Sequence, residues 1–443
     1  MQLPQDDYER AVERNARWNF AVNLVDITFF NLAMSFIFSS TVLTLYASYL
    51  TKSALLVGLV PTVQNVMSVL PQLLMSRQAE RLSVKKSLLL KVSPLERVPY
   101  LWIGLLMLLV PRMPPGVSYG ILLFSLALAS GAGGVGAPAW KGMLSKVVPA
   151  NRRGVLFGLS SALGSLLGLG GAWFSRYLLA TQVYPRMFAY NFLLCFVCQA
   201  ISYLFVAMTR EPPREPEGKD VSASEYWRRL PRVLKLNPNF TRYLIARVFI
   251  VMGSMASAYY VIYAKARFAV ADTFAAELTM AALLSQALAM PLLGMVSDRK
   301  GLKWLLELST LLQLAAMVLV LVSPAQSWLY AVFVLVYGAT AGINIVGMAM
   351  SMEFSVPEDV PTFTALESTV VAVPTLLAPV LGGWLVDHAH LGAAVAIADN
   401  SISGYQVMFV VAAVFSLAGF AMLRWWVREP RHEAPGVGVT GAE

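Results

Sequence analysis

The residues best placed to do chemistry are ionisable groups inside long apolar stretches: Asp26, Glu96, Arg97, Lys141, Arg247, Glu353 and Glu367. A charge in hydrocarbon is costly, so each one marks a candidate functional site. Three uses are open to them. They can pair and lock helix ends, Asp26 can accept a proton or hold a solute group, or they can extend to the interface along buried aliphatic stems. Covalent catalysis is not on offer, because no Ser/His/Asp arrangement, phosphate-cradling Gly loop or ATP motif is present. No metal or other cofactor is expected. In Asp387-His388-Ala389-His390 the two imidazoles stand two residues apart, on different faces of a helix. Cys195 and Cys198 lie within an apolar stretch and read as packing.

The elements that carry these groups are set by composition. The 443 residues are 57% hydrophobic and 13% charged, and the mean hydropathy is +0.63. Soluble domains are about a quarter charged, so the expected surroundings are a lipid bilayer. A crossing needs roughly 20 apolar residues. Twelve such spans are expected, at 19–48, 54–75, 87–110, 117–147, 154–180, 187–208, 242–264, 270–296, 302–322, 327–354, 362–387 and 404–427. The net charge of +9 does not point to nucleic acid, because the basic residues cluster in short loops between spans. Most of them sit in the N-terminus, the even-numbered connections and the C-terminus, which puts both termini on the cytoplasmic side. The chain divides into a cytoplasmic amphipathic N-terminus (1–18), a six-helix bundle (19–208), a cytoplasmic linker (209–240), a second bundle (241–428) and a disordered tail (429–443). Asp6–Trp18 reads as a surface helix, Ser224–Leu230 as another, and nothing in 1–17 resembles a signal peptide.

One loop repeats. Gly294-Met-Val-Ser-Asp298-Arg299-Lys300-Gly301-Leu-Lys303 joins two spans. Its glycines permit close helix approach and a tight turn, and Asp298 and Arg299 form a charge pair at the membrane surface. Moving back 218 positions gives Ser76-Arg77-Gln78-Ala79-Glu80-Arg81-Leu82-Ser83-Val84-Lys85, which keeps the Arg and the final Lys. A second repeat links Val147-Val-Pro149 and the glycines up to Gly171 with Ser355-Val-Pro357 and Gly382-Gly383. The pattern G-x-x-x-D-R-x-G-x-K resembles the loop signature of the major facilitator superfamily, and two copies half a chain apart indicate a duplicated transporter. Two features of its proton-coupled drug antiporters are missing. No Arg precedes the small-residue run Ser130–Pro138, and Gly164–Gly171 contains no Gly-Pro pair.

The resemblance implies an all-α membrane protein of twelve transmembrane helices, arranged as two pseudo-symmetric six-helix bundles. It also places Asp26 and Lys141 on helices that line a common cavity, at similar depth in the cytoplasmic third, where they are expected to pair. Gating falls to the two loop copies, through Ser76, Glu80, Arg81, Ser83, Lys85, Gly294, Asp298, Arg299, Gly301 and Lys303. Candidate cavity residues are Asn23, Phe30, Met34, Gln64, Asn65, Trp140, Tyr259, Tyr260, Tyr263, Gln286, Tyr337, Ala341 and Asn344. The expected protein is a monomeric secondary transporter in the plasma membrane. It moves a small organic solute by alternating access, with a proton or another ion as an optional coupling partner. Export of an amphipathic compound is favoured. Import of a neutral polar solute, or a lipid-handling or non-transporting role on the same scaffold, are the alternatives.

Overall fold

The computed structural model describes residues 5–213, 233–355, 360–389 and 400–429. Every regular element among them is a helix. In chain order these are α1 (Gln5–Phe36), α2 (Thr44–Leu50), α3 (Ala54–Glu80), α4 (Lys86–Leu109), α5 (Pro115–Val147), α6 (Ala150–Thr181) and α7 (Arg186–Ala207). The second half supplies α8 (Pro238–Gly253), α9 (Tyr260–Phe268), α10 (Thr273–Lys300), α11 (Leu302–Val322), α12 (Trp328–Glu353), α13 (Val360–His388) and α14 (Asn400–Trp426). Eleven are long and apolar enough to cross a membrane, or twelve if the bent pair α8–α9 is one span. The surface helix expected over 6–18 is not separate, because α1 runs unbroken through it. The helix expected at Ser224–Leu230 and the tail beyond 429 lie outside the described residues.

Prolines start two of the helices, Pro115 in α5 and Pro238 in α8, where a missing N–H costs nothing. Two expected spans are interrupted. The first passes through a π-helical turn at Ser39–Leu43. The seventh bends by 43° between α8 and α9. The bend leaves backbone carbonyls that need donors away from water, and Gln313 Nε2 donates to Ile250 O at 3.1 Å and to Ser416 Oγ at 3.0 Å.

Two compact units result. The first holds 1–52, 63–219 and 272–280, and the second holds 53–62, 220–271 and 281–443. In the first, α1 packs on α6 and α7, and α4 on α5 and α7. The same pattern recurs in the second, where α8 packs on α13 and α14, and α11 on α12 and α14. Between apolar helices this association depends on van der Waals contact and on small residues. Gly104 of α4 shows why: a Cβ there would come within 3.0 Å of Ala189 O on α7.

Candidate functional site

In the first unit the intramembrane charges form one network. Pro94 of α4 removes the donor that Leu90 O would use, and the Tyr203 hydroxyl of α7 reaches that carbonyl at 3.4 Å. This contact helps hold α4 against α7, with the buried Arg97 directed at α7. Its Nε donates to Gln199 O (2.9 Å) and its NH2 to Ser202 Oγ (3.3 Å). Its NH1 reaches Ser93 O (3.2 Å) and Glu96 Oε2 (2.9 Å). Ser202 Oγ in turn donates to Asp26 Oδ1 at 2.6 Å, and Trp140 Nε1 donates to Asp26 Oδ2 at 3.3 Å. Ser202 thus links the carboxylate of α1 to the guanidinium of α4.

The expected Asp26–Lys141 pair does not form. Lys141 is exposed and makes no ion pair among the described residues, whereas its neighbour Trp140 turns toward Asp26. One helical residue is about 100° of rotation, enough to send adjacent side chains to different surroundings.

In the second unit, Arg247 of α8 and Glu367 of α13 are both buried. Their closest approach, Nε to Oε1, is 3.7 Å, too long for a hydrogen bond. Glu367 Oε1 is held instead by the Tyr243 hydroxyl at 2.6 Å. Arg247 Nε and NH1 and Glu367 Oε2 have no protein partner. Glu353 is half-buried at the end of α12, apart from this pair in sequence.

The loop copies differ in detail. Gly301 has φ +91° and ψ 159°, a region open essentially to glycine, so the tight turn is present. Gly294, in contrast, has open space where a Cβ would stand. Asp298 and Arg299 are exposed, and Arg299 forms no ion pair with Asp298. Lys303 pairs with Glu307 at 3.5 Å, and so does Arg424. In the weaker copy, Lys85 is buried and its Nζ donates to Ala79 O at 2.7 Å. Ser83 O accepts from Lys146 Nζ at 2.8 Å, Arg81 is exposed, and the side chains of Ser76 and Glu80 lie outside the described set.

A further duplication escaped the sequence reading. Arg210-Glu211-Pro212 recurs as Arg428-Glu429-Pro430, at the same step of 428 − 210 = 218. Asn19 exchanges two hydrogen bonds with the backbone of Arg210 (3.0 and 2.8 Å), and Asn239 does the same with Arg428 (3.1 and 2.9 Å). Glu211 accepts from the amides of Lys85 (3.0 Å) and Lys86 (2.7 Å), capping α4. Glu429 stands 2.9 Å from where a Cβ on Gly301 would be, at the start of α11. The repeated triplet at an already known step was the available signal.

The candidate cavity residues separate by exposure. Asn23 is buried, donating to Asn19 O and Thr209 Oγ1. Tyr259, Tyr260, Tyr263, Tyr337 and Ala341 are buried in the second unit. Tyr260 and Tyr263 pack against Phe409, Tyr337 packs against Phe333, and Tyr259 donates to Pro379 O. The helix break at Tyr259 is why the three tyrosines do not form one regular face. Phe30, Met34, Gln64, Asn65, Trp140 and Gln286 are half-buried and Asn344 is exposed. Gln64 Oε1 accepts from Ser39 Oγ at 2.7 Å, whereas the side-chain amides of Asn65, Gln286 and Asn344 make no hydrogen bond among the described residues.

The sequence model described as Major Facilitator Superfamily matches residues 27–268 and 243–442. No curated protein matches the chain. Among solved structures, a mutant of the nucleoside transporter NupG aligns with TM-score 0.72 at 12% identity, covering 92% of this chain and 100% of that one. A D-xylose-proton symporter aligns with TM-score 0.70 at 12% identity, covering 95% and 100%. A bacterial homolog of the human lysosomal transporter Spinster aligns with TM-score 0.63 at 13% identity, covering 92% and 96%. At these identities the likeness is one of fold.

Proposed function

The chain belongs to the Major Facilitator Superfamily, and from that premise we propose that it exports a small amphipathic organic solute by alternating access. The family makes it a transporter and not an enzyme. One observation carries the solute reading. Asn65, Gln286 and Asn344, each near the middle of its helix, are half-buried or exposed yet have no hydrogen-bond partner among the described residues. An uncharged amide at membrane depth needs water or a ligand. In the first unit, which also holds Asn65, half-buried Phe30, Met34 and Trp140 supply apolar contact, which suits a solute with one polar and one apolar end.

An optional coupling proton has a candidate site in the first unit, where two carboxyl groups, Asp26 and Glu96, share a network with the single guanidinium of Arg97. A proton on Asp26 would balance them. The Lys and Arg bias supports cytoplasmic termini in the plasma membrane. Cys introduced at Lys52 and at Ser222 in a Cys-free background should label from outside only at Lys52.

The purified protein in proteoliposomes should drive saturable solute flux that falls in Asn65→Leu, Gln286→Leu and Asn344→Leu without loss of melting temperature. Movement of lipid with no solute flux would overturn the reading in favour of lipid handling. The unpartnered amides also suit a neutral polar solute taken inward, and the direction of flux under an imposed proton gradient separates the two.

A further inference from the structure

Among the buried charged groups of the described residues, the guanidinium of Arg247 has two nitrogens without a hydrogen-bond partner. It is 5% exposed, yet its Nε and NH1 find no hydrogen-bond partner and its one ionic contact among the described residues is 3.7 Å long. Buried donors are normally paired, and those left unpaired call for a ligand or water. Arginine offers five N–H groups in a rigid fork that matches a carboxylate with two parallel bonds. Glu367 does not use that geometry, because Tyr243 holds its Oε1 at 2.6 Å and its Oε2 points to no donor.

The end of the fork lies against α12. Gly347 has no side chain to cover it, and a Cβ there would lie 3.3 Å from Arg247 NH2. Any other residue would press on the end of the guanidinium. Gly347 is half-buried, and Asn344, three residues before it and so on the same face of α12, is exposed with its amide unpartnered. One face of α12 therefore presents an amide at Asn344 and, at Gly347, lies close against one guanidinium nitrogen, NH2.

We propose that Arg247, reached past Gly347 and assisted by Asn344, binds an oxyanionic group, a carboxylate carried by the transported solute. This rests on the solute reading above and narrows it, making the polar end of the amphipath an anion. Bound end-on, the carboxylate would take NH1 and NH2 and leave Glu367 on Tyr243. Charge-assisted hydrogen bonds are roughly twice as strong as neutral ones. The site should therefore prefer a carboxylate to its isosteric amide by about ten-fold in Kd.

The probes are phenylacetate, phenylacetamide and phenethylamine, three amphipaths of one shape and three charges. Each is titrated against the full-length protein in nanodiscs, with melting temperature as the readout of binding. Phenylacetate should stabilise at about ten-fold lower concentration than phenylacetamide, with phenethylamine weakest. In Arg247→Gln the preference should fall below about two-fold. The same should hold in Arg247→Gln combined with Glu367→Gln, which leaves no lone buried charge and so keeps the test available if the single variant unfolds. Gly347→Val should weaken phenylacetate while leaving both charges in place.

Equal binding of acid and amide, persistence of the preference without Arg247, or no binding of phenylacetate at any concentration would each overturn the proposal. Flux is measured separately. Transport of the amide alone would leave the solute reading standing while the anion site fails, and absence of flux for all three would count against the solute reading itself.

Discussion

Arg97 and Arg247 are both buried in transmembrane helices, each beside a glutamate, and they could hardly be used more differently. Arg97 spends its fork on two backbone carbonyls, a serine hydroxyl and a carboxylate, all within 3.3 Å. It also lies over the Tyr203 ring, 5.6 Å from its centroid. Arg247 has one contact at 3.7 Å. A guanidinium bonded on every side ties α4 to α7 and has nothing left to offer. One with unpartnered donors bears the cost of burial without that return, which is the basis of the anion site proposed above. The difference separates a bonded buried charge from a poorly bonded one within a single duplicated fold, which position in the sequence could not do.

The largest expected effect breaks the saturated side. Arg97→Met would orphan Glu96, leave the Asp26 end of the network uncompensated and free two carbonyls. Removal of one partner from a buried charge network costs about 3–5 kcal/mol. Thermal unfolding in detergent should show it as the most destabilised variant of the set. A melting temperature near wild type would mean that the bonds of Arg97 hold nothing together.

Asp26→Asn comes next. The amide keeps the size of the side chain and can still accept from Ser202 or Trp140, but it loses the negative end of the network. The expected loss of stability is about 1–3 kcal/mol. If Asp26 carries the coupling proton, transport in this variant should also lose its dependence on a proton gradient. Retained gradient dependence would return Asp26 to a purely structural role.

On the unsaturated side the prediction inverts. Arg247→Met combined with Glu367→Gln removes both charges and few hydrogen bonds. Replacement of a poorly paired buried ion pair by neutral groups is close to neutral in stability. A change of about 0–1 kcal/mol is expected, alongside loss of transport. A large loss of stability would show that the 3.7 Å pair is tighter in the membrane than its geometry indicates, and the contrast with Arg97 would collapse.

The fold was legible because hydropathy and a duplicated loop are long-range, redundant signals. Twelve apolar runs and a step of 218 do not depend on where any one side chain points. The Gly301 turn was legible for a local reason, since a backbone at φ +91° admits little but glycine. Side-chain partners were not legible. Tyr259, Tyr260 and Tyr263 look like one aromatic face until the helix breaks beneath them, and Glu211 looks like linker until it caps α4. Depth along a helix can be counted from sequence, but azimuth shifts by about 100° with each residue, and a break anywhere resets it.

Lys141 shows that limit and provides the smallest expected effect. By depth it belongs beside Asp26. By azimuth it is exposed, with no partner to lose, and Asp26 instead takes its hydrogen bonds from Ser202 and Trp140. Lys141→Met should therefore change stability by no more than about 0.5 kcal/mol. The combination with Asp26→Asn is the sharper measurement. If the two residues met, the double variant would be milder than the sum of the singles, because no lone charge would remain. As they do not meet, the melting free energies should add to within about 0.3–0.5 kcal/mol. Transport lost through Asp26→Asn should stay lost, since neutralising a distant lysine cannot restore a network built on Ser202 and Arg97. A double variant clearly more stable than additivity allows would bring Lys141 to Asp26 in some state of the cycle and give the lysine a part in it.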